Sequence, residues 1–172
     1  MRRCSECVGR RLGFATARAA LLYEPHARAL VGRWKERGRR DLSRIAAELV
    51  AEVLPRPDAD ALTFVPGERD RVLLRGHAPP ERLAWELGSV WAMPVHPLLV
   101  RARHVSRQRG LSLVERRQNV AGAFASVERV PRHVVLVDDV YTTGSTASAC
   151  AIALSRAGAE RIDVACLARA VR

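Results

Sequence analysis

Lysine is almost absent from this chain of 172 residues: of its 29 basic residues only Lys35 is a lysine, and the others are arginines. Aromatic residues are scarce, at 5%. They form no cluster on which nucleic-acid bases could stack, and no motif of the common nucleic-acid readers occurs. No apolar run approaches the length of a membrane span. The basic start Met1-Arg2-Arg3 is followed by arginines at 10, 11 and 18, which interrupt any signal-peptide core, so a cytoplasmic protein is expected. Repeats and low-complexity segments are also missing. Acidic residues number only 18, which leaves a formal charge of +11. Such a surface attracts phosphates and nucleic acid. An arginine- and alanine-rich, lysine-poor composition is also what a GC-rich genome writes. Hydrophobic residues make up 48%, enough for one globular domain with an ordinary core and a small appendage.

The most informative stretch runs Val134-Val135-Leu136-Val137-Asp138-Asp139-Val140-Tyr141-Thr142-Thr143-Gly144-Ser145-Thr146. Four apolar residues, three of them β-branched, predict a buried strand over 134–137. Two carboxylates stand where that strand should end, and a short polar loop with one glycine follows. Residues 147–156 then predict a helix stopped by Gly158. This order describes a phosphate-ester site at the carboxyl edge of a parallel sheet. Loop N–H groups and the helix N-terminus can hold a phosphate dianion, and the hydroxyls of Thr142, Thr143, Ser145 and Thr146 can add donors. Asp138 and Asp139 can face ribose hydroxyls or the waters on a divalent metal. The spacing fits neither G-x-x-x-x-G-K-[ST] nor G-x-G-x-x-G. The alternative is a core strand leading into a helix, with the acids as solvated loop residues.

Residues 135–146 resemble the phosphoribosyl-pyrophosphate (PRPP) binding motif of type I phosphoribosyltransferases. Other features make the chain similar to the ComF/GntX branch, the competence-associated phosphoribosyltransferase-like proteins. Tyr23, Lys35 and Gly38 stand in the family's order. Arg101, Arg103 and Gln108 keep the R-x-R-x-x-x-x-Q pattern of its mobile catalytic loop, followed by Asn119-Val120 and Gly122-Ala123-Phe124. The chain departs from the family at Val65-Pro66-Gly67-Glu68, where relatives read V-P-V-P. In the R-G-F-N-Q segment Arg75-Gly76 is kept, but Ala78 and Pro79 replace the Asn and Gln.

The resemblance implies an α/β, type I phosphoribosyltransferase-like fold: a mostly parallel central sheet flanked by helices, with a small N-terminal hood. The expected divisions are a remnant zinc-knuckle region at 1–13, the hood at 14–57 and the core at 58–172. Cys4 and Cys7 form half of a tetrahedral zinc site. The family commonly has two C-x-x-C pairs, and this chain begins at the equivalent of the second. The start is therefore truncated or misassigned, or the knuckle has decayed, and zinc is not expected in this chain alone. Cys150 and Cys166 are expected in the core.

An extended segment is expected over 14–23, with Pro25 opening a helix whose inner face holds Ala27, Leu30, Val31 and Trp34 and which ends at Gly38. Asp41 should cap a second helix with the stripe Leu42, Ile45, Ala46, Leu49, Val50, Val53 and Leu54. Pro55-Arg56-Pro57-Asp58 is the clearest internal break. Strands are expected over 61–65, 95–100 and 161–168. Between them lie a charged loop over 66–80, in which His77 is read as a surface residue, and a helix over 79–91 turning Leu83, Leu87, Val90 and Trp91 inward. The helix after Gly144 should bury Ala149, Ile152 and Ala153.

If the chain is active, it transfers a 5-phosphoribosyl group with release of pyrophosphate. In the roles implied by the resemblance, Asp138 and Asp139 hold the ribose and organise magnesium, through water or ribose, and residues 142–146 cradle the 5′-phosphate. Arg75, Gly76 and Arg107 meet pyrophosphate, and Arg101 and Arg103 close over it. The expected ligand is PRPP or another phosphoribosyl compound. Single-stranded DNA and competence proteins are candidate partners through the family's link to DNA uptake. The alternatives are a non-enzymatic basic module that binds DNA or a partner, and a nucleobase-salvage enzyme.

Overall fold

The computed structural model describes residues 12–36, 39, 41–102, 122–127 and 129–171. The elements in chain order are β1 (Thr16–Leu22), α1 (Pro25–Glu36), α2 (Asp41–Val53), β2 (Ala61–Phe64), α3 (Arg69–Arg75), α4 (Pro79–Trp91), β3 (Leu99–Arg101), β4 (Phe124–Ser126), β5 (His133–Tyr141), α5 (Ser145–Arg156) and β6 (Arg161–Arg169). Strands β1, β6, β5 and β2 form one sheet in that order, with every pairing parallel. Helices cover both faces, the architecture that the resemblance implies. No helix among the described residues is long and apolar enough to cross a membrane.

Strand alternation explains the two cores. Val134, Leu136, Ile162, Val164 and Cys166 face α5 and the β3–β4 ribbon, where they meet Cys150, Leu154 and Phe124. Val135, Val137, Ala165 and Leu167 face the other way, onto Val31 and Trp34 of α1, Ala46 and Val50 of α2, and Leu83 and Leu87 of α4. β1, from the stretch expected as a hood, pairs with β6, and α2 packs against α4.

Several local expectations are corrected. The strand carrying the acids does not end at Val137 but continues to Tyr141, because residues 138, 140 and 141 still pair with β6. The expected strand over 95–100 is broken by its prolines: Val95 makes a single bridge to Leu62, and β3 pairs antiparallel with β4 outside the main sheet. The loop over 66–80 contains α3, closed by Gly76 at φ 71°. His77 within it is buried, its Nδ1 3.2 Å from the Arg75 carbonyl oxygen. Ile45 and Val53 of α2, Val90 of α4 and Ile152 of α5 are exposed. In α2 the inner face instead runs through Ser43, Ala46, Ala47 and Val50. Ser43 belongs there because its hydroxyl accepts the Trp34 indole N–H at 3.1 Å, a pairing that hydrophobic periodicity does not reveal.

Candidate phosphate-ester site

All four parallel strands end at one edge, and the acid pair lies there on the central strand β5. Alternation turns Asp138 towards α5 and Asp139 towards α1. Asp139 is 9% exposed and forms an ion pair with Lys35 of α1, Nζ to Oδ2 2.7 Å. Asp138 is half-buried, and its Oδ1 accepts the Asp139 backbone N–H at 2.8 Å. Burial, then the charge of Asp139, push the Asp138 carboxyl up to about 7, against the opposing pull of Lys35 and Arg101. Burial and the same acid raise the thiols of Cys150 and Cys166, which are core residues as expected.

The loop after β5 turns at Gly144, whose φ of +71° favours glycine and whose Cβ position is blocked by the Tyr141 ring. A side chain there would meet both constraints together. Gly144 also caps α5. Thr143 Oγ1 lies 2.9 Å from Ser145 Oγ and accepts the Ser145 backbone N–H at 3.3 Å, so the loop's hydroxyls order one another. Thr142 is exposed, Thr146 is half-buried and Ser145 is 8% exposed. A turn of hydroxyl-bearing residues entering a helix N-terminus, beside paired carboxylates, can hold a dianionic phosphate and hydroxyls attached to it.

Arg101 lies at the end of β3. Its Nε donates to the Pro66 carbonyl at 3.0 Å, tying β3 to the loop after β2. Its guanidinium sits 4.9 Å from the centre of the Phe124 ring. Its positive charge opposes, without outweighing, the rise of the Asp138 carboxyl. The fold thus brings Asp138, Asp139, Lys35, Arg101 and residues 142–146 to one region. Arg75 and Gly76 lie at the C-terminal end of α3. Arg103, Arg107, Cys4 and Cys7 lie outside the described residues.

Sequence reasoning missed a second polar cluster at the opposite, amino end of the sheet. Asp163 of β6, 9% exposed, accepts hydrogen bonds from Thr16 Oγ1 at 2.6 Å and Arg161 Nε at 2.9 Å, and its Oδ2 lies 2.8 Å from His133 Nε2. Burial alone would raise its carboxyl, but the bonds from Thr16, His133 and Arg161 outweigh it and leave the group below its ordinary value. The only signal in the sequence is an acid inside the otherwise apolar run 162–168.

No protein-family model matches the chain. It is 39% identical over 116 residues to competence protein F of Haemophilus influenzae, covering 64% of this chain and 51% of that protein. It is 43% identical over 72 residues to the DNA utilization protein YhgH of Escherichia coli (strain K12), covering 41% and 32% respectively. The Salmonella typhi YhgH is 40% identical over 88 residues, 51% of this chain and 37% of that one. The chain therefore spans about a third to a half of these curated relatives. Among solved structures, the glutamine PRPP amidotransferase of B. subtilis, complexed with ADP and GMP, aligns with a TM-score of 0.47 and 24% identity, over 76% of this chain and 26% of that one. An allosteric regulatory enzyme of purine biosynthesis aligns with a TM-score of 0.48 and 23% identity, over 72% and 25%. Curated relatives under two separate names, competence protein F and the DNA utilization protein YhgH, are thus similar to this chain, in line with the resemblance to the ComF/GntX branch read from its motifs.

Proposed function

We propose that the carboxyl-edge site binds PRPP or a related phosphoribosyl ligand, and that the protein serves the uptake or handling of DNA in a cytoplasmic setting. The observation that carries the ligand reading is the junction of the acid pair with the loop at Gly144. The ribose hydroxyls have Asp138 and Asp139 to bind, and the 5′-phosphate has residues 142–146 and the start of α5. The role in DNA uptake rests on the names of the relatives, competence protein F and DNA utilization protein.

Two adjacent carboxylates, one of them pushed up in pKa by burial and by its neighbour, suit a divalent cation that takes its other oxygens from ligand and water. Magnesium, when bound, would be held by Asp138 and Asp139 through water or ribose and would neutralise charge on the pyrophosphate. In phosphoribosyl transfer the C1′–O bond to pyrophosphate breaks, pyrophosphate leaves with the electron pair, and a nucleophile bonds to C1′. The protein's part is positioning and charge stabilisation. Arg101, with Arg103 and Arg107, would close over the departing pyrophosphate. Lys35 would hold Asp139 in place until the ligand arrives.

Calorimetry with PRPP, with and without magnesium, tests this on the wild type and on Asp138→Asn/Asp139→Asn. Binding is expected to need both the metal and the acids, and a folded wild type that binds no PRPP would overturn the reading. A second reading, a basic module for single-stranded DNA without phosphoribosyl chemistry, is favoured by the charge of +11 and the substituted positions 67–68 and 77–79.

A further inference from the structure

The amino end of the sheet, opposite the acid pair, holds more than the Asp163 cluster. Alternation places Thr16, Arg18, His133, Arg161 and Asp163 on the sheet face that α2 and α4 cover further along. Both helices stop before this end, α2 at Val53 and α4 at Trp91, and residues 54–58 pass beside it. The result is a crevice of about 330 Å³, floored by the strands and walled by Leu54, Pro55, Pro57 and Trp91.

Its chemistry is divided. The wall is apolar: Pro55 is exposed and Pro57 half-buried, while Leu54 and Trp91 show only their edges. The floor and rim carry Arg18, Arg56 and Arg161. Arg56 is anchored through its Nε to the Trp91 carbonyl at 2.7 Å, which fixes the guanidinium and leaves its other N–H groups as donors. Asp163, a carboxylate on which Thr16, His133 and Arg161 converge, is paired with the Arg161 guanidinium, so Arg18 and Arg56 are the charges left for a ligand. Asp58 is the other acid in the lining.

We propose that this crevice is a second ligand site, for a small anion with a flat apolar body whose head is a phosphate ester or a carboxylate. Arg18 and Arg56 take the head, and Pro55 and Pro57, with the narrow open edge of the buried Trp91, take the apolar body. The volume lies at the small end of the range for such sites. The proposal does not depend on PRPP binding at the other edge, so either reading can fail alone.

The test follows the Trp91 indole N–H by two-dimensional NMR of the isotope-labelled full chain, assigned through Trp91→Phe. Trp85, exposed on the same helix, serves as the internal control. The titrants are AMP and benzoate, with adenosine as the uncharged ring and inorganic phosphate as the bare head. AMP or benzoate should shift Trp91 saturably, and both halves should bind more weakly. A response to AMP alone identifies a phosphate ester as the head, and a response to benzoate a carboxylate. Arg18→Glu, an exposed change on an edge strand, should weaken binding by at least about tenfold while the rest of the spectrum is kept. Asp138→Asn/Asp139→Asn should leave the Trp91 response unchanged. The proposal is overturned if neither titrant moves Trp91, if the response survives Arg18→Glu combined with Arg56→Gln, or if it is lost in the acid-pair variant.

Discussion

Asp138 and Asp139 are neighbours in sequence but occupy different electrostatic surroundings. Asp139 has Lys35 at 2.7 Å, whereas Asp138 faces the core layer of α5 and is raised to about 7 by burial and by Asp139. Its folded pKa exceeds the ordinary 3.8, so the native state favours the protonated form. The contribution of Asp138 to stability is complete below the ordinary value and is lost as pH rises through about 7. Asp138→Asn should therefore stabilise the metal-free protein at pH above that value and change little in acid. The full shift corresponds to ~4 kcal/mol, and partial solvation of the group reduces the expected gain to about 1–2 kcal/mol. Urea unfolding in EDTA on either side of neutrality measures it. A variant no more stable than wild type in alkali would show that Asp138 is ionised at no cost.

Among the elements, the β5–loop–α5 unit depends on Gly144. An alanine there must adopt a positive φ and meet the Tyr141 ring at the same time. Gly144→Ala should cost about 1–3 kcal/mol and displace the Thr143–Ser145 contact that orders the loop. Thermal unfolding reads the first effect. PRPP titration of whatever fraction remains folded reads the second, and binding at wild-type strength would separate the loop from the ligand. The break at 55–58 has a larger part than its composition suggests. The prolines were legible as a boundary, but they also wall a crevice, because α2 and α4 end before the strands beneath them do.

For the whole molecule, the sheet has two chemically different ends, with paired carboxylates and a hydroxyl-rich loop at one and an arginine-lined crevice at the other. The overall charge of +11 is a third property, independent of both. Single-stranded DNA should bind with an affinity that falls steeply with salt, log K dropping by roughly 0.7 per phosphate neutralised for each unit of log salt. Asp138→Asn/Asp139→Asn should not weaken it. Fluorescence anisotropy across a salt series checks both points, and loss of DNA binding in the acid variant would join the two functions in one site.

The sequence by itself determined three of the four parallel strands, β2, β5 and β6, with most of their flanking helices and the acid–loop–helix motif, because buried strands, caps and turns leave local signatures at fixed spacing. It also marked Cys150 and Cys166 as core residues. The tertiary structure decided what depends on distant segments meeting. Lys35 and Asp139 are far apart in the chain, and only the packing of α1 beside β5 makes them an ion pair. The burial of His77, the exposure of Ile152 and the separate β3–β4 ribbon were likewise settled by neighbours that no local window contains. The cluster around Asp163 draws on β1, β5 and β6. A buried acid is tolerated only when donors converge on it, and which donors those are is fixed by strand order and register.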